Sequence, residues 1–297
     1  SFERLTNLAI AKPRKVFAST LITLSILISA LLWLQVTPSS LSAIPGNLES
    51  AQGLNSVTDK VGVGVITPHE IVIDLGTNSD SPDIDATRFE FAKRLADNPE
   101  VFTVASGQKW PYIDASGRYL RIYVFGQHDL GSDQTQQLVQ QLRDYYIPNA
   151  GFPTGTKIYL GGSPAQGVDL LDAIKSSLPT IISLIVLITF FILLRTFRSV
   201  VLAVKAIVLD LISIAASFAT LVLVFKFGVG TYQLEQLEAW VLILLFAILF
   251  GLSMDYEIFI VSRMREAWDR GASNEDAIRE GMRNSGAVVT AAALIFI

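Results

Sequence analysis

The sequence predicts an α-helical polytopic membrane bundle combined with an α+β domain held outside the cytoplasm. Three observations lead there. Of 297 residues, 51% are hydrophobic and only 17% charged, with a mean hydropathy of +0.47, whereas a soluble domain carries about 25% charge. The apolar residues gather into blocks too long for ordinary core helices. Between the first two blocks, residues 37–176 return to soluble composition and patterning.

Composition also excludes several classes of function. A net charge of -4 gives no basic footprint for nucleic acid. The absence of cysteine excludes disulfides and thiolate chemistry. His69 and His128 are the only histidines, too few for a His-based zinc site. There is no G-x-x-x-x-G-K-[ST] loop for ATP and no nucleophile or metal-ligand motif. An enzyme reading therefore has no support, and no cofactor or metal is expected.

A helix needs about 20 apolar residues to cross roughly 30 Å of hydrocarbon. Residues 16–36, 177–194, 200–225 and 239–262 read as such spans. The first is longer than a signal-peptide core and Thr37-Pro38-Ser39-Ser40 is no cleavage pattern, so it reads as retained. A fifth apolar run starts at Gly286 and reaches Ile297, too short to cross at about 1.5 Å per residue; the sequence thus reads as a fragment.

Orientation follows from the cations. Arg4, Lys12, Arg14 and Lys15 precede the first span, Arg195 and Arg198 join the second to the third, and Arg263, Arg265, Arg270, Arg279 and Arg283 follow the fourth. With alternating spans these share one side, which the positive-inside rule makes cytoplasmic. The opposite loop, 226–238, carries one Lys and two Glu. The expected organisation is a surface helix and first span over 1–36, an extracytoplasmic domain over 37–176 and three spans over 177–262. Cytoplasmic surface helices follow over 263–285, and the start of a further span over 286–297. In the 263–285 segment Trp268 marks the interface, Ser273 and Asp276 have capping-box spacing, and Asn284-Ser285-Gly286 is expected to break the helix.

Inside 37–176, an entry helix is expected over 48–61. Residues 70–75 alternate as a strand, and 85–97 has helical spacing in Phe89, Phe91 and Leu95 before Asn98-Pro99 stops it. Strands follow over 101–105 and 119–125, a helix over 132–146 closed by Pro148 and Gly151, and a strand over 157–160 ending at Gly161-Gly162. A short helix over 166–175 leads out. The order β-α-β-β-α-β is that of the ferredoxin-like split βαβ, a fold that names no substrate by itself.

Acidic residues within spans point to function, because a mid-membrane carboxylate costs about 2.5–3.5 kcal/mol or more. Asp255 stands eight residues before Arg263, roughly 12 Å along the axis, too far for its short side chain to reach water. It must face a partner or a wet cavity, where it can load and release protons, with Tyr256 beside it as donor or relay. The alternative is a structural hydrogen-bond network between helices. Glu257 lies about 200° round the helix from Asp255 and is expected to pair with a cytoplasmic-side cation. Asp210 is expected to pair with Lys205. Gly251, one turn before Asp255, and the small patch Ser213, Ala215, Ala216, Ser217 read as helix packing, and Ser213, Asp210 and Glu257 could together form a secondary polar network.

The stretch Phe250-Gly-Leu-Ser-Met-Asp-Tyr-Glu-Ile-Phe-Ile-Val-Ser-Arg-Met-Arg-Glu266 resembles the Asp-Tyr helix of MMPL transporters in the RND superfamily. Gly281-Met-Arg-Asn-Ser-Gly-Ala-Val-Val-Thr-Ala-Ala-Ala-Leu294 is similar to the start of their next span. Leu160-Gly-Gly-Ser-Pro-Ala-Gln-Gly-Val-Asp169 is similar to the join between their porter domain and the membrane. The resemblance implies a C-terminal half, running from the seventh span into the eleventh, whose partner is the N-terminal half of the same polypeptide. It implies Asp255 and Tyr256 as proton relay, protons as coupling ion, and export of lipids or other hydrophobic molecules across a bacterial inner (plasma) membrane. Asp210 departs from the neutral polar residue the resemblance leads one to expect. A non-transporting lipid or sterol sensor, a membrane assembly scaffold and an accessory to protein secretion share this layout. Monomer and homo-trimer stay open. The substrate does too, although 16 acidic against 10 basic residues over 48–175 disfavour capture of anionic lipid by bulk charge.

Overall fold

The computed structural model describes residues 2–38, 48–76, 82–228 and 237–295. Parts of three sequence readings lie outside them: Ser39-Ser40 of the uncleaved junction, residues 229–236 of the loop and the last two residues of the final run. In chain order the elements are α1 (Phe2–Ala11), α2 (Pro13–Ile28) with a 3-10 turn (Ser29–Trp33), β1 (Val36–Thr37), α3 (Glu49–Val61), β2 (His69–Asp74), α4 (Pro82–Ala96), β3 (Val101–Ala105) and β4 (Tyr119–Gly126). There follow α5 (Asp133–Gln141) with a π turn (Leu142–Tyr146), β5 (Lys157–Gly161), α6 (Ser163–Phe197), α7 (Val200–Phe227), β6 (Leu237–Glu238), α8 (Ala239–Asp269) and α9 (Asn274–Ile295). The chain is mostly helical with some sheet. It divides into two compact units, one of Ser1–Leu34, Leu178–Glu235 and Val241–Ile297, the other of Gln35–Ser177 and Gln236–Trp240.

The second unit is built on a four-stranded antiparallel sheet in the order β3-β4-β2-β5. The register runs from His69 opposite Val124 to Asp74 opposite Tyr119, so Ile71 and Ile73 share a face with Leu120, Ile122 and Val124. Burial alternates along both strands as the sequence alternates. Phe91 and Leu95 of α4, Leu138 of α5 and Leu142 of the π turn cover that face. Four-residue spacing puts Phe91 and Leu95 on one side of α4; Phe89, two residues away, is 65% exposed, contrary to its expected role in the core stripe. The helix expected over 132–146 changes to π geometry at Leu142, where the Ile147 amide donates to the Leu142 carbonyl. Asn98 at the end of α4 donates to Gln141 and to the Tyr146 hydroxyl, tying the two covering helices together. On the open face Glu70 pairs with Arg121 at 2.7 Å. At the sheet end Arg118 grips Asp74 with two hydrogen bonds and, with the Gly76 amide, holds that carboxyl down at about 2. β1 and β6 form a separate two-residue parallel pair.

Among the described residues four helical segments are long and apolar enough to cross a membrane: Pro13–Trp33, Ser163–Phe197, Val200–Phe227 and Ala239–Asp269. The first span ends in a 3-10 turn and not at residue 36. The short exit helix and the second span, expected as separate helices, are one helix, α6, with Pro179 inside it, and the division between the two units falls within that helix at Ser177/Leu178. Proline removes one backbone donor, a loss membrane helices tolerate. α6 ends at Arg198 in a left-handed conformation, and Ser199 caps α7 by accepting from the Leu202 amide. Leu193 and Phe197 of α6, Ala203, Ala206, Ile207 and Ile214 of α7, and Phe246, Phe250 and Met254 of α8 form one apolar cluster. α2 and its 3-10 turn pack on α7, and Lys226 sits 4.6 Å over the Trp33 ring.

The sequence reading is corrected again after α8. Residues 264–269 are the last turns of α8, and α9 runs unbroken from Asn274 through the expected break at Asn284-Ser285-Gly286. Glycine costs a helix only about 1 kcal/mol, and the flanking alanines and valines sustain it. The turn between them is a Schellman motif: Gly271, at φ +92, donates to Trp268 and Ala272 donates to Ala267. Ser273 then caps α9 by accepting from the Asp276 amide. A Cβ on Gly281 would stand 2.3 Å from Met264 Cγ and 3.1 Å from the Met264 nitrogen, so only glycine allows this approach. Ala267, Ala277 and Ser285 are buried alongside. α1 packs on α9.

Candidate functional site

Between Gly251 and Glu257, α8 carries Ser253, Asp255 and Glu257 on two opposite faces, with Tyr256 between them. At 100° per residue, Gly251 and Asp255 share one stripe, and Ser253 and Glu257 share another about 200° away. Both stripes are continuous i, i+4 pairs.

The first stripe is bare. Gly251 and Asp255 are exposed, and a Cβ on Gly251 would meet nothing within 4 Å. Among the described residues, none packs closely on Gly251. Neither the Asp255 carboxyl nor the hydroxyl of the half-buried Tyr256 hydrogen-bonds to another described residue. Asp255 lies about 24 Å along α8 from Ala239 and about 21 Å before Asp269.

The second stripe faces α7. Asp210 is 3% exposed, and Ser253 Oγ donates to its Oδ1. Asp210 Oδ2 is buried without a hydrogen-bond partner, and the Glu257 carboxyl adjoins Asp210. Two expected pairings are thereby overturned. Lys205, five residues before Asp210, is exposed on another side of α7 and forms no ion pair with it; a spacing of five turns two side chains about 140° apart. Glu257 meets Asp210 and no Arg or Lys, because Arg263 is held by Glu266 and Arg265 by Asp269. Ser213, expected in the network, is exposed, and its carbonyl accepts from Ser217. Ser253 takes that place. Sequence spacing places it on the same stripe as Glu257 but does not say that this stripe faces Asp210.

Nearer the end of α8, Arg265 donates to the Phe197 carbonyl at 3.0 Å, using one of the free acceptors at the C-terminus of α6. Among the described residues no group of three or more His, Cys, Asp or Glu is placed to hold a metal ion.

Residues 110–297, well over half of the chain, match the MMPL family. The chain belongs to the MMPL family. The matched region contains α6 to α9 and so Asp210, Ser253, Asp255, Tyr256 and Glu257. Among its relatives, the heme uptake protein MmpL11 of Mycobacterium tuberculosis is 30% identical over 285 residues, 91% of this chain and 28% of the relative. The mycolic acid-containing lipids exporter MmpL11 of Mycolicibacterium smegmatis is 29% identical, over 82% of this chain and 26% of the relative. The trehalose monomycolate exporter MmpL3 of Mycobacterium tuberculosis is 36% identical over 147 residues, 48% of this chain and 16% of the relative. This MMPL chain therefore spans little more than a quarter of the length of the MmpL11 relatives that it matches.

Proposed function

We propose that the chain is part of a proton-driven RND-type exporter of lipids or other hydrophobic molecules, with Asp255 and Tyr256 as its proton relay. The observation that carries this is Asp255, a bare carboxyl far from either end of a membrane-length helix in a chain of the MMPL family. A charge there demands hydration, and protonation removes the demand. The helices can then repack and shift a hydrophobic cavity between inward and outward access. The face bearing Gly251 and Asp255 is read as meeting the N-terminal half of the same polypeptide. The cargoes in the relatives' names, mycolic-acid lipids, trehalose monomycolate and heme, share a large apolar part, which favours an amphiphile as substrate.

In this reading Gln35–Ser177 is the porter domain on the extracytoplasmic side of a bacterial inner membrane. Its element order and the β3-β4-β2-β5 sheet, with β4 between β2 and β3, support the ferredoxin-like split βαβ type. The clustering of Arg and Lys at the opposite ends of the spans supports the orientation.

The experiment is Asp255→Asn in the full-length protein, reconstituted in vesicles with an imposed proton gradient. Lipid export should be lost while membrane insertion and thermal stability stay at wild-type values. Undiminished export by that variant, or export that persists after the gradient is collapsed, rejects the relay and favours a sensor or scaffold of the same architecture.

A further inference from the structure

We propose that Asp210, Ser253 and Glu257 form a second proton site, distinct from Asp255, in which the two carboxyl groups hold one exchangeable proton between them. Its use in transport rests on the proton-coupled reading above, but its occupancy can be measured without transport.

The argument is one of hydrogen-bond and charge balance. Asp210 is buried between α7 and α8, and only one of its oxygens is served, by Ser253. The other, Oδ2, is fully buried and lacks a donor. A buried polar atom without a partner is rare in a native structure and calls for one. The neighbouring group is Glu257, which as a carboxylate can only accept and as a carboxylic acid can donate. Two ionised carboxyls this close repel each other, and burial strengthens the repulsion. One proton removes the repulsion and supplies the missing donor; a second would leave acid facing acid.

No other group among the described residues supplies the balance. Ser253 of α8 donates to Asp210, and the cluster buried between these helices is apolar: Phe250 and Met254 from α8, Ile207 and Ile214 from α7, and Leu193 and Phe197 from α6. No cation among the described residues acts on either carboxyl. Lys205 points elsewhere, and Arg263 and Arg265 are occupied by Glu266, Asp269 and the Phe197 carbonyl. α2 and its 3-10 turn, which also pack on α7, bring no charged group to the pair. Only a proton moves when the site fills or empties; no other bond is made or broken.

The test is infrared difference spectroscopy of the full-length protein in lipid during a pH jump, reading the carbonyl stretch of protonated carboxyl groups. The wild type should show a band that persists in Asp255→Asn and disappears in both Glu257→Gln and Asp210→Asn. In each of those variants an amide supplies the missing donor, and the remaining carboxyl ionises. Ser253→Ala should keep the band and shift its frequency, because one hydrogen bond to Asp210 is gone. It removes a single oxygen and serves as the readout if the other variants misassemble. Bands unchanged in Glu257→Gln and Asp210→Asn, or unshifted in Ser253→Ala, overturn the site. A band that sodium abolishes at constant pH overturns it too, by assigning a cation in place of the proton. The outcomes separate from the relay: Asp255→Asn that still exports defeats the relay while leaving this band in place.

Discussion

On one side of α8, the half-buried Ser253 and Glu257 turn towards the buried Asp210 of α7; on the other, Gly251 and Asp255 are exposed, and the Asp255 carboxyl hydrogen-bonds to no described residue. The two stripes have the same spacing and similar chemistry, yet one is resolved by folding and the other is not. The buried stripe is accountable to stability, since changing it alters how α7 and α8 fit. In the proposed reading the bare stripe is accountable to whatever the rest of the exporter places against it. Sequence spacing alone does not distinguish them, because both are i, i+4 pairs on an apolar helix.

This contrast can be broken in several ways. The largest effect is expected for Asp255→Asn, with export falling by at least ~100-fold, in the range of a lost proton-transfer group, while its melting temperature stays at the wild-type value. Asp210→Ala should do the opposite first: it leaves Ser253 and Glu257 without their partner, and unfolding monitored in detergent should show a loss of about 1–3 kcal/mol. If Asp255→Asn destabilises the protein as much as Asp210→Ala, the two faces are not different in kind.

Two glycines sharpen the comparison. Gly281→Ala drives a Cβ into Met264 and should destabilise the α8–α9 hairpin by about 1–3 kcal/mol, measured as faster amide exchange in both helices. Gly251→Ala adds the same methyl group where nothing lies within 4 Å, and a helix gains roughly 0.5–1 kcal/mol from that exchange. Reduced export by a Gly251→Ala protein of undiminished stability would show that the bare face is closely packed in the working transporter.

The smallest separation concerns pH. His69 is 1% exposed at the start of β2, and burial holds its imidazole down at about 4, against 6.5 when free. The folded state then binds fewer protons than the unfolded state between those values, so stability declines as pH falls through 6.5 and levels off below about 4. At pH 5 the sheet should have lost about 2 kcal/mol, detected as weaker amide protection in β2. His69→Gln should flatten this profile. A pH response of transport that survives His69→Gln then does not originate at this imidazole.

Much of this architecture was legible beforehand, for reasons that differ by region. The sheet strands were found because Leu120, Ile122 and Val124 alternate with Tyr119, Arg121 and Tyr123, and because Ile71 and Ile73 sit two apart between Glu70 and Asp74; strand periodicity then leaves little choice of face. The spans were found because length and apolarity suffice. Their ends were not: Lys175-Ser176-Ser177 and Asn284-Ser285-Gly286 look like boundaries, but helix continuity is cheap once both flanks are helical, and α6 and α9 run through them. Asp255 and Tyr256 were singled out by position along the helix. The Asp210–Ser253 contact could not be, since it depends on the rotation of α7 against α8, which no single-helix pattern records.

The bond from Arg265 to the Phe197 carbonyl has a mechanical corollary. It joins the last turns of α8 to the tail of α6, so separating the two helices at that end must first break a charge-assisted hydrogen bond. Asp255 stands about 15 Å along the helix from that tie.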